Sequence, residues 1–153
     1  GVWMYNVDLT SGQLQAGDTF VIYDFGGYVA GSIMAAPGWT ASTSLLDGGP
    51  AGFIDITGDN PAEFNLIFTY NGPTITQTIG AMTFTGFKAT TTRTGTAIDG
   101  WASRDHEIDG NVGTLHTDKI LVPNAVPDGG TTVALLGLAL IGAGALRRKL
   151  RTA

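Results

Sequence analysis

The chain has 153 residues, no cysteine and a formal net charge of −5. A chain of this length can bury a core without covalent staples, and the lack of thiols excludes disulfide, cysteine-metal and thiol-redox chemistry. Residues 1–126 hold four bases (Lys88, Arg93, Arg104, Lys119) against twelve acids, which argues against nucleic acid as a partner, because that affinity comes from Lys and Arg neutralising phosphates.

The chain starts at Gly1-Val2-Trp3, with no initiating methionine and no basic, apolar signal region, so the expectation is that an upstream segment is removed. Trp3, Tyr5, Val7 and Leu9 alternate on one face of a first strand. Further strands are expected at 19–25, 28–34 and 53–57. Leu66, Phe68 and Tyr70 alternate in the same way, and Met82 and Phe84 open another strand. Segments 88–94, 97–103 and 119–122 complete the series. Turn signals stand between them, among them Gly26-Gly27, Pro37-Gly38, Asn71-Gly72-Pro73 and Asp109-Gly110. About nine short strands at this spacing predict an all-β, β-sandwich-like domain over 1–122 rather than alternating βαβ units. The threonine-rich stretch 89–96 reads as a solvated edge or hairpin arm.

Side chains able to do chemistry are sparse. His106 and His116 lie ten residues apart, and neither has a partner at helical metal-ligand spacing. Arg104-Asp105-His106-Glu107 with Asp109 reads as a charged turn before Asp109-Gly110; the alternative for the same residues is an acid-base or divalent-metal cluster. No nucleophile elbow or phosphate loop occurs, so the expectation is a non-enzyme with no catalytic residue, cofactor or resident metal. Trp3, Tyr5 and Tyr70 fall on apolar strand faces and are expected in the core. Trp39 follows Pro37-Gly38 and is the best candidate for an exposed aromatic that touches a glycan or a partner.

The C-terminal part has a different character. Pro123 and Pro127 bracket a short, stiff linker over 123–130 that ends in Val126-Pro127-Asp128-Gly129-Gly130. Residues 131–146 form an uncharged run, which as a helix would span about 24 Å, somewhat short of a ~30 Å hydrocarbon core. Arg147, Arg148, Lys149 and Arg151 follow it directly, a basic stop in the positive-inside pattern, and snorkelling arginines make up part of the missing length. Ala139 and Ala143, with Gly142 beside them, form a small-residue face suited to close helix packing. The expected arrangement is one transmembrane helix at 131–146 and a basic cytoplasmic tail at 147–153, with the β-domain on the periplasmic or extracellular side.

This tail resembles a PEP-CTERM sorting signal of the VPDSG-CTERM-like variant, with Gly129 where the variant's name has serine. The body, at Gly17-Asp18-Thr19-Phe20-Val21-Ile22-Tyr23-Asp24-Phe25 and Asn65-Leu66-Ile67-Phe68-Thr69-Tyr70-Asn71-Gly72, is similar to secreted proteins that carry such signals. The resemblance implies export through a signal peptide, recognition of the tail by an exosortase, and a place in the envelope or biofilm matrix without enzymatic activity. Taken with the anchor, it predicts a structural or interaction protein, an accessory single-helix subunit of a larger membrane assembly whose partners are membrane lipid, neighbouring subunits and an exosortase. The alternatives are a free cell-surface or biofilm-matrix protein and a secreted carbohydrate-binding module.

Overall fold

Every residue from Thr19 to Phe25 is buried, with Phe20 and Ile22 facing one hydrophobic cluster and Val21 and Tyr23 another. A strand buried on both faces belongs in the middle of a sheet that is covered on both sides. In the computed structural model, which describes residues 1–46, 48–49 and 58–124, this strand is β3, the centre of a five-stranded antiparallel sheet. The sheet order is β4-β5-β3-β8-β9, with β3 Thr19–Phe25, β4 Trp39–Ser44, β5 Phe64–Tyr70, β8 Gly95–Arg104 and β9 His116–Asn124. β9 is an edge, which is where a strand tolerates Pro123 with its missing N–H.

The second layer is the antiparallel pair of β1 Val2–Leu9 and β7 Met82–Thr90. Its register slips by one residue between Tyr5 and Asn6, opposite Gly86, whose φ of +107 lies in a region that favours glycine. Further along the same two chain segments, β2 Gly12–Leu14 and β6 Ile75–Gln77 form a separate short antiparallel pair. Tyr5, Phe87 and Ala89 point from the β1–β7 ribbon into the cluster on the large sheet, where Phe20 stacks on Phe68 at 4.7 Å and Phe87 meets Phe20 edge-on at 5.0 Å. Burying one such phenylalanine contributes about 2–3 kcal/mol by area alone. The aromatic contact between layers therefore carries much of what holds ribbon to sheet.

The all-β reading holds, and among the described residues there is no helix. Three local expectations change. Segment 28–34 is not a strand: it meets the ribbon through isolated bridges of Tyr28 to Thr91 and Met34 to Lys88 and through hydrogen bonds of Val29 and Ser32 with Thr90. Stretch 89–96 is a solvated arm only in part: Thr92, Arg93, Thr94 and Thr96 are exposed, but Ala89 and Thr91 are buried, and the Thr91 hydroxyl donates to the Gly26 carbonyl at 2.5 Å. The last strand runs to Asn124, two residues past the expected domain limit at 122. The expected strand at 53–57, most of the linker and the 131–146 helix lie outside the described residues. Within those residues no helix is long and apolar enough to cross a membrane.

Register gives the domain two distinct ends. Gly95 pairs with Asn124, the Gly26 N–H donates to the Pro123 carbonyl, and Phe25 pairs with Phe64, so the chain leaves towards residue 125 at this end. Thr19 pairs with Arg104 and Ser103 with His116 at the opposite end. Between them β8 runs its full length, about 30 Å at ~3.3 Å per residue.

At the exit end, a bulge in β3 places Tyr23 and Asp24 opposite Asn65, with Asp24 at φ +50. The strain is held by two hydrogen bonds: the Asp24 N–H donates to Asn65 Oδ1 at 2.9 Å, out of solvent, and the Asn60 N–H donates to Asp24 Oδ1 at 3.0 Å. Glu63 accepts from the Gly27 N–H at 2.9 Å and pairs with Arg93 at 3.0 Å.

Candidate functional site

The far end is built around a close approach of two backbones. The Gln13 N–H donates to the His106 carbonyl at 2.7 Å and the His106 N–H returns the bond to Gln13 at 2.9 Å. Gly12, at φ +100, makes this approach feasible, since a Cβ there would sit 2.6 Å from the His106 carbonyl oxygen. From Asp105 the chain makes a short excursion that closes on itself. The Gly113 N–H donates to the Asp105 carbonyl and the Glu107 N–H to the Asn111 carbonyl, while the Asp109 carboxylate caps the turn through the Asn111 N–H at 3.0 Å. Glu107 and Asp109 are exposed on this turn, as the reading of a charged turn expects.

Two aspartate-histidine pairs anchor the excursion. Asp18 sits at the start of the buried run of β3, its side chain only 5 % exposed. One of its oxygens accepts the Gln15 N–H at 2.7 Å, and the other lies 2.9 Å from His106 Nδ1, in contact but not aligned as a hydrogen bond. His116, the first residue of β9, places Nε2 3.6 Å from Asp105 Oδ1. Burial raises the Asp105 pKa above its ordinary value, and the neighbouring Asp18 charge adds to this, while His116 and His106 pull it down.

Asp105 and His116 form a ridge between two open grooves of about 560 Å³ and 580 Å³. Ser11, Glu107, Asp109 and Thr114 line the first; Asp8, Thr10, Trp101 and Asp118 line the second. Open grooves edged by carboxylates, imidazoles and hydroxyls suit a polar partner carrying amines or hydroxyl groups. Among the described residues no group of three or more His, Asp or Glu side chains is arranged to hold a metal ion.

The structure thus gathers part of the Arg104 to Asp109 cluster with His116, and adds Asp18, which sequence reasoning did not single out. Its only sequence signal is an acid standing immediately before a long apolar run. Trp39 is corrected: it is half-buried, with its ring packed at 5.2 Å against both Tyr70 and Phe87 and at 5.6 Å against Phe20. The Pro37-Gly38 turn leads straight into β4, and that strand turns the indole into the core rather than into solvent. The sorting motif (Val126, Pro127, Asp128, Gly129, Gly130), the packing face (Ala139, Gly142, Ala143) and the basic stop (Arg147, Arg148, Lys149, Arg151) lie outside the described residues.

Fold and end-to-end layout define an all-β domain whose last strand delivers the chain directly into its C-terminal segment. That segment carries the VPDSG-CTERM motif at residues 125–150, a sorting signal of the PEP-CTERM-like kind found on exported proteins. No curated protein matches the chain.

Proposed function

We propose that this is a non-enzymatic, exported protein whose β-sandwich domain stands outside the cytoplasm, held at a membrane by a helix over 131–146 with 147–153 on the cytoplasmic side. Its role is that of an accessory single-helix subunit in a larger membrane assembly. The observation that carries the reading is contiguity: the sorting motif begins at residue 125, directly after β9 ends at Asn124. A domain joined to its signal without a long spacer is held close to whatever the signal engages. The uncharged run and the four bases after it support an anchor with the basic end inside. The Ala139, Gly142 and Ala143 face supports packing against neighbouring helices. The far-end grooves, about 30 Å from the exit, supply a polar surface for a neighbour outside the membrane.

Mild-detergent solubilisation of native membranes followed by native electrophoresis tests the reading. Migration with a complex much larger than the 15.9 kDa chain supports it, and migration as a lone small species removes the subunit role. The sorting motif itself favours a second reading, in which an exosortase engages the signal and frees the domain as a cell-surface or matrix protein. Recovery of the native protein in the wall or matrix fraction, absent from membranes, selects that alternative. The Trp39 ring, occupied by core contacts, gives the carbohydrate-binding reading no support.

A further inference from the structure

We propose that the exit end of the β-domain, the end around Asn124, is itself a lipid-contacting surface that rests on the membrane. The inference rests on the anchored reading above and adds to it where the domain touches. Eight of the twelve large exposed apolar side chains among the described residues lie in the half of the domain nearer Asn124. Leu45 and Leu46 follow β4 where its last residue, Ser44, pairs with Asn65 near the start of β5, and Leu46 is 62 % exposed. Ile98 and Leu121 are direct cross-strand partners on β8 and β9, 64 % and 54 % exposed, and Leu121 stands three residues before Asn124. On the ribbon side, Val29 bonds through its N–H to the Thr90 carbonyl, and Met34 bridges to Lys88 two residues from the end of β7.

These side chains form a collar around the exit, on both layers. Scattered exposed aliphatics are ordinary on a soluble surface, but concentration at one end is not. The occupant follows from the length of chain beyond β9. Only residues 125–130 separate Asn124 from the apolar run, and six residues reach at most about 20 Å when fully extended. A run seated in the bilayer therefore keeps the collar next to the headgroups, where aliphatic side chains gain by leaving water. Among the described residues, Asp24, Asp59 and Glu63 near the exit accept hydrogen bonds within the domain.

Because the chain has no cysteine, single cysteines give unique labels. The full-length chain, reconstituted in phosphatidylcholine vesicles, would carry an environment-sensitive fluorophore at Leu46→Cys, Ile98→Cys or Leu121→Cys, and at Ile79→Cys or Val112→Cys as far-end references. Headgroup-nitroxide lipid should quench the three collar labels at least twofold more than the references. Equal quenching in protein that floats with the vesicles overturns the collar and leaves the anchored reading standing. Failure to float removes both. Collar labels that are shielded from water but not quenched by the lipid nitroxide assign the surface to a protein partner instead, and the proposal falls.

Discussion

At the exit end of the domain, charged groups are consumed internally: Asp24 holds the Asn60 amide, and Glu63 holds the Gly27 amide and Arg93. At the far end they stand open, with Glu107 and Asp109 in solvent and Asp105 and His116 dividing two grooves. Exposed aliphatics are distributed the other way. Among the described residues, one end pairs its carboxylates internally and shows aliphatic side chains, the other shows charge, and the same strands run between them. The contrast teaches that, among the described residues, the domain is polarised from one end of its strands to the other.

The comparison can be broken most severely through what the ends share. Phe87→Ala removes the ring that joins ribbon to sheet and should cost about 3–5 kcal/mol, loosening both ends together in urea unfolding of the full-length chain. Loss confined to one end would mean that the ends do not share a core. Asp24→Ala strikes the exit end alone: losing a buried carboxylate that accepts an amide should cost about 2–3 kcal/mol, with amide exchange rising at Asn60 while His106 stays protected. Gly12→Ala is its counterpart at the far end, costing about 1–2 kcal/mol because a side chain at that φ is strained and its Cβ meets the His106 carbonyl. Gly17→Ala, at φ +103 with nothing within 4 Å of the added Cβ, isolates the backbone strain from the clash, so a smaller fall in Tm is expected there.

The smallest expected effect is a pH dependence. Asp105 has its pKa raised in the folded chain, so its contribution is fully present below the ordinary carboxylate value and is lost as pH rises through the raised one. Amide protection across 105–113, corrected for the intrinsic rise of exchange with pH, should fall over that interval, and Asp105→Asn should flatten the profile. An unchanged profile in the variant would contradict the assignment to Asp105.

Strand β3 was legible to the residue, because seven consecutive buried positions leave a continuous apolar signature. β2 and β6 were not, since three-residue strands show no period, and β4 was hidden because its Thr-Ala-Ser-Thr-Ser core lacks apolar alternation. Segment 28–34 misled for the opposite reason: its apolar residues answer to packing against the core, with Tyr28 edge-on to Phe25 and Phe64, not to a ladder. Half of the candidate site was visible as the Arg104 to Asp109 cluster. The partner of His106 was not, because Asp18 reaches it through the antiparallel pairing of β3 with β8 and no local pattern records that. Trp39 shows the same limit, as a turn signal in front of it gave no indication of which face the following strand would bury.

The central claim is an anchored domain held close to the membrane by its own sorting segment. Intact-mass measurement of the native protein from fractionated cells tests it most directly. The expected result is a membrane-bound species that retains the uncharged run and the basic residues Arg147, Arg148, Lys149 and Arg151. A mature form ending near Asp128 and recovered away from the membrane would contradict it.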